Sequence, residues 1–268
     1  MWEFSIILNN DDINIADYIS GRLSKITKEV GGITSTYSDG DNITISVACK
    51  KYDKTRLEFY IIDCITEVIC IYYKEIYLNK KLQIVQSDEL IMTALKKALI
   101  NFDKETDSYI VSKNLTIKNS INLNSFMSFK LRYLTEKWAE LVRIANENCG
   151  IFVSNDTFIE LLKFLVDNLE TNNDTVNIVY DNSVYKFFDE SFIEIDSISY
   201  ENVSTECSMI SNLISLSPRK INMYCNNYHT NVCNLIKQIF YKRVKFLPYE
   251  SVLNKKVDKM VDNSRNIW

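Results

Sequence analysis

The chain has 268 residues, 46% of them hydrophobic, with 16 Tyr and 13 Phe, so it can bury a substantial core without disulfide or metal staples. Only 5 Gly and 2 Pro disfavour glycine-rich phosphate loops, Pro-rich linkers and the turn-dense pattern of an all-β sandwich. A net charge of -4 supplies no global field toward nucleic acid or an anionic membrane, and 7 cysteines without framework spacing suit reduced thiols in a cytosol.

In chain order, Phe4 to Leu8 reads as a strand, and Met1 to Leu8 lacks the basic region and cleavage site of a secretory signal. Ile15, Tyr18, Ile19, Leu23 and Ile26 recur at helical spacing, and Gly31 with Gly32 stops that helix near Glu29. After the turn residues Ser38 to Asp41, Ile43, Ile45 and Val47 alternate with polar residues, completing a β-α-β start. Arg56 to Lys80 predicts the longest helix, apolar nearly all round and therefore central. Its most apolar part, Leu57 to Tyr73, is interrupted by Glu58, Asp63 and Glu67 and is too short for a membrane span. Asp88 and Glu89 open another amphipathic helix. Asp103 to Asn124 is polar and Asn-rich and reads as the weakest point, with a boundary near residue 120.

Ser125 to Asn148 predicts one long helix, and a second from Asn155 to Leu169 completes a helical hairpin. Val176 to Tyr180 and Val184 to Phe188 read as a β-hairpin, with a further short strand at Phe192 to Ile195. Helices at Cys207 to Leu216 and Thr230 to Phe240 alternate with strands at Ile221 to Cys225 and Val244 to Leu247. Pro248 to Trp268 reads as a tail or short helix. The predicted class is α+β: an N-terminal β-α-β with helices over residues 1–120, then a helical hairpin and a C-terminal mixed α/β unit with a small sheet over 121–268.

Few groups in the chain suggest chemistry. Cys225, His229 and Cys233 form a C-x3-H-x3-C run at a strand-to-helix junction, but structural zinc takes four ligands and no partner pair is legible, so the two cysteines read as core residues. Asp63 and Glu67 lie four apart on one helix face, where ion pairing with Lys54 or Lys74 weighs more than metal or acid-base work. A triad would need His229, the only histidine, and no G-x-S-x-G presents a serine. Nucleotide and calcium loop motifs are missing as well, so no catalytic residue, metal site or cofactor is assigned, and the balance is against an enzyme. Lys242, Arg243 and Lys245, interleaved with Tyr241 and Phe246, are the residues that would touch nucleic acid. The acidic total argues against that use. Asn42, Asn114 and Asn202 open Asn-x-Ser/Thr triplets, which carry no meaning in a chain that is not secreted.

Four segments follow one another in a distinctive order. They are Phe126, Phe129, Lys130 and Leu131; Phe158-Ile159-Glu160-Leu161-Leu162-Lys163-Phe164-Leu165-Val166; Ile214-Ser215-Leu216-Ser217-Pro218-Arg219-Lys220-Ile221; and Ile236-Lys237-Gln238-Ile239-Phe240-Tyr241-Lys242-Arg243-Val244. Over residues 122–247 this order resembles the YtxC-like family, sporulation proteins of endospore-forming bacteria. Lys130 departs from an expected Arg, and Lys245-Phe246-Leu247-Pro248 replaces a cysteine-rich tail, so no metal role would transfer. The resemblance implies a cytoplasmic role in spore formation and carries over no reaction, ligand or catalytic residue; together with the missing catalytic motifs it points to action through an unidentified protein partner. The rival readings are an enzyme with an unfamiliar site and a nucleic-acid-binding protein. Oligomeric state is not legible.

Overall fold

The computed structural model describes residues 1–83, 88–148, 155–171, 173–181, 184–195, 204–227 and 230–252. The first elements are β1 (Trp2–Asn9), α1 (Ile13–Glu29), β2 (Ile33–Ser38), β3 (Asn42–Cys49), α2 (Lys54–Glu67), α3 (Lys74–Lys81), α4 (Glu89–Asn101) and α5 (Lys104–Asn114). There follow β4 (Ser120–Asn122), α6 (Leu123–Lys130), α7 (Arg132–Asn148), α8 (Asn155–Asp167), β5 (Asn173–Asp181), β6 (Val184–Phe188), α9 (Thr205–Leu216), β7 (Pro218–Tyr224), α10 (Asn231–Phe240) and β8 (Val244–Leu247). Helices and two small mixed sheets make this an α+β protein. The chain divides into two compact units that interleave: Met1–Leu82 with Asp103–Ala145, and Gln83–Phe102 with Asn146–Trp268.

In the first unit the strand order is β2-β3-β1-β4, with β1 antiparallel to β3 and parallel to β4. Strand alternation turns Phe4, Ile6 and Leu8 of β1 and Ile43, Ile45 and Val47 of β3 to one buried face. The opposite face is more polar, and Ser5 and Ser46, directly paired in register, share a hydrogen bond of 2.8 Å. Ile15, Ala16, Ile19 and Leu23 form the buried stripe of α1. That helix ends in a left-handed Gly31 (φ 61), with the Gly32 amide donating to the Thr27 carbonyl at 2.7 Å. A Cβ on Gly32 would sit 2.5 Å from the Ala48 carbonyl oxygen, so only glycine lets the chain turn this close to β3.

Sequence reading misses β2, whose six residues present no apolar alternation. Between α2 and α3 the helix widens into a π turn over Val68–Tyr73, so the single helix expected there changes its winding in the middle. The stretch read as weakest contains α5 and β4, and residue 120 begins a strand paired with β1. The long helix expected after Ser125 is two, α6 and α7, separated at Leu131.

The second unit has the order β6-β5-β7-β8, with β5, β7 and β8 parallel and β6 antiparallel to β5. Helix α9 connects into β7 and α10 runs between β7 and β8, as crossovers between parallel strands require. Val176 and Ile178 of β5, Ile221 and Met223 of β7, and Ile236, Ile239 and Phe240 of α10 are buried. Asn177 and Asn222, neighbours in register, bond side chain to side chain at 3.0 Å, and Asn177 also donates to the Asp189 carbonyl at 2.7 Å. The chain leaves α9 through a left-handed Ser217 (φ 39), and Pro218 opens β7, a position where a missing amide costs no ladder bond. The proposed strand at Phe192 to Ile195 is reduced to one bridge, Phe188 with Glu194. Most of the C-terminal tail, residues 253–268, lies outside the described residues.

Candidate functional site

Cys225 and Cys233 come together in the second unit. Cys225 follows the last residue of β7 and continues its ladder, its amide donating to the Leu247 carbonyl at 3.2 Å. Cys233 lies in the first turn of α10, whose N-cap Thr230 accepts from the Cys233 amide through Oγ1 at 3.3 Å. The ionisation of each thiol depends on the other. They line a pocket of about 270 Å³ with Tyr180, Tyr185, Glu206 and Tyr249. The pocket opens beyond the carboxyl ends of the parallel strands, where open α/β sheets place ligands. His229, the third member of the spacing, lies outside the described residues.

The pair is electrically asymmetric. Hydrogen bonding from Cys225 pulls the Cys233 thiol below its ordinary value, against the opposing effect of burial, with help from Thr230 and the charge of Lys237; Glu206 opposes it. Cys225, as the donor, is pushed up by that same bond and then by burial. Elsewhere burial alone dominates: it pushes Cys64 and Cys70 up to about 11.

A second polar cluster belongs to the first unit. Lys74 and Asp107 are each 1% exposed and pair at 2.8 Å. The same carboxylate oxygen accepts from Trp138 Nε1 at 3.0 Å, while the other accepts from Lys137 Nζ at 2.9 Å. Lys137 also pairs with Asp103, which precedes α5 in a left-handed backbone conformation. The π turn immediately precedes Lys74 and also carries Tyr73, whose hydroxyl donates to Asp12 Oδ2 at 3.0 Å. Desolvation lowers Lys74 more than Asp107 raises it, whereas for Lys137 the bonds to Asp103 and Asp107 outweigh desolvation and raise it. Sequence reading treats Lys74 as an ion-pair candidate for Asp63 or Glu67 and does not single out Asp107. The available signal was a Lys directly after the apolar run Val68–Tyr73.

Asp63 and Glu67 are both engaged by Arg22 of α1, Asp63 at 2.6 Å. Lys54 pairs with Glu58 at 3.5 Å. In the basic segment, Arg243 reaches the end of α8, donating to the Asp167 carbonyl at 3.3 Å and its carboxylate at 3.4 Å. Lys163 and Lys242 lie 3.9 and 5.1 Å from the centre of the Tyr241 ring, and Lys245 is exposed on β8. Among the described residues, no three His, Cys, Asp or Glu side chains form a cluster able to hold a metal ion, and no helix is long and apolar enough to cross a membrane.

The fold and the pocket thus define an α+β protein with a paired-thiol pocket at the carboxyl edge of a small, mainly parallel sheet. The chain belongs to the YtxC-like family, whose model matches residues 56–245. No curated protein and no solved structure matches it.

Proposed function

We propose that the chain is a sporulation-associated cytoplasmic protein that works by binding another protein, and that β2 is the edge on which the partner docks. The link to spore formation rests on what the resemblance to the YtxC-like family implies, and the match of the family model over residues 56–245 supports that resemblance. The observation that carries the binding mode is the character of β2. It is the outermost strand of its sheet, and its six residues include no charge and no proline, the usual guards of an exposed edge. Ile33 and Tyr37, on one face of the strand, are 65% and 67% exposed. A pocket of about 400 Å³, lined by Gly31, Gly32, Ile33, Cys49 and Lys50, adjoins the start of the strand. An extended partner segment adding to β2 as a fifth strand gains main-chain bonds along the edge and two apolar contacts beside it.

The test is affinity capture from sporulating cells of an endospore-forming host. One protein should be retained by the natural chain and lost with Ile33→Lys combined with Tyr37→Lys, substitutions that leave folding within about 0.5 kcal/mol because both side chains are exposed. Equal retention by both chains would remove β2 as the docking edge. Deleting the chain should lower the yield of heat-resistant spores, and an unchanged yield would remove the role in sporulation.

A further inference from the structure

The pocket in the second unit suggests an activity that partner binding does not require. Two cysteines line it from different elements, Cys225 just past the end of β7 and Cys233 in the first turn of α10. A cavity of about 270 Å³ lies just below the range of typical ligand sites, roughly 300–1,000 Å³. It suits an aliphatic molecule of amino-acid size. Neither cysteine is in a disulfide.

We propose that this pocket is a thiol–disulfide exchange site in which Cys233 attacks a small aliphatic disulfide and Cys225 resolves the product. The Cys233 thiolate displaces one half of the substrate as a thiolate, forming a mixed disulfide with the other half. Cys225 then attacks the Cys233 sulfur of that mixed disulfide, releasing the second half, which carries away the proton Cys225 gives up. The dithiol is oxidised to a Cys225–Cys233 disulfide, and the substrate disulfide is reduced to two thiols. No metal or further co-reactant enters a single turnover.

The roles follow from the surroundings. The Cys233 anion is favoured by the Cys225 thiol, by Thr230, by the positive end of α10 and by Lys237 one turn along the helix; Glu206 of α9 opposes it. Tyr185 of β6 faces the same anion and is held neutral, its hydroxyl pushed up mainly by burial and then by Cys233. When Cys233 is neutral its hydrogen points to the Asn227 carbonyl, with sulfur and oxygen 3.8 Å apart. Cys225, kept protonated by its neighbour, is the poorer nucleophile until Cys233 has been consumed.

The test uses the reduced full-length chain and cystamine as the disulfide, with free thiols then blocked by N-ethylmaleimide and peptides mapped by mass spectrometry. The natural chain should release two cysteamines and acquire a Cys225–Cys233 disulfide. Cys225→Ser should release one and hold cysteamine on Cys233. Cys233→Ser should modify Cys225 at least about tenfold more slowly than Cys233 reacts in Cys225→Ser, given the thiolate dependence of exchange. Failure of the natural chain to form that disulfide, or modification of Cys64 and Cys70 as fast as Cys233, overturns the proposal. The first result needs no variant, so a misfolded substitution does not shield it.

Discussion

The Asp107 cluster of the first unit and the thiol pair of the second both bury polar groups, yet they differ in what remains to be done. Asp107 has partners on both oxygens, from Lys74, Trp138 and Lys137, and both Lys74 and the carboxylate are 1% exposed. Cys225 and Cys233 line a cavity, and the ionisation of each depends on the other. A satisfied buried charge holds a fold in one arrangement, whereas coupled ionisable groups beside a cavity are what reactive sites use.

The comparison breaks most visibly at Asp107. Asp107→Ala leaves the Lys74 ammonium buried without its carboxylate and should cost about 3–5 kcal/mol, read from the urea unfolding midpoint. Lys74→Met with Asp107→Leu should recover part of that loss, because it removes the unpaired Lys74 charge but still leaves the Trp138 and Lys137 donors without Asp107. A single substitution costing under about 1 kcal/mol would mean that the cluster is not a structural centre.

Trp138→Phe keeps a large ring against Tyr77 but removes the indole donor to Asp107, and about 1.5–3 kcal/mol should be lost, as for hydrogen bonds to charged groups. The pH dependence has opposite signs within this cluster. Asp103 is desolvated, but Lys137 and Thr106 pull its carboxyl below 3.8, so its stabilisation is present above that value and disappears as pH falls through the folded value. Lys137, raised above 10.5, contributes stability below 10.5 that is lost as pH rises through its folded value. Lys74, lowered from 10.5, carries a penalty that is relieved as pH climbs from its folded value toward 10.5. Asp103→Asn should therefore flatten the acid limb of a stability-against-pH curve measured in urea. The smallest effect belongs to Arg22→Ala, whose partners Asp63 and Glu67 are partly exposed; a loss of about 0.2–1 kcal/mol is expected in the same assay.

Legibility followed burial. Strands β1 and β3, helix α1 and the alternation from β5 to β8 were readable because their apolar residues recur at the period of the element that buries them. Strand β2 was invisible because an exposed edge needs no apolar alternation, and α5 because only Asp107 and Val111 of its residues are buried. The break at Leu131 was hidden because apolar spacing continues across it, with Phe126 before and Leu134 after both buried. Of the candidate site, the spacing of Cys225 and Cys233 was readable, but as a weak metal pattern; the pocket that unites them depends on Tyr180, Glu206 and Tyr249 from distant stretches.

By itself, the order of residues determined the α+β class, most of the helices and strands, and the family, since these rest on local periodicity and on the succession of short apolar segments. Tertiary structure alone decided which lysine is buried, which carboxylate meets it 33 residues away, and that two cysteines line one pocket. Those facts depend on chain segments meeting in space, and the free energy of a buried charge or thiol is set by whatever surrounds it there.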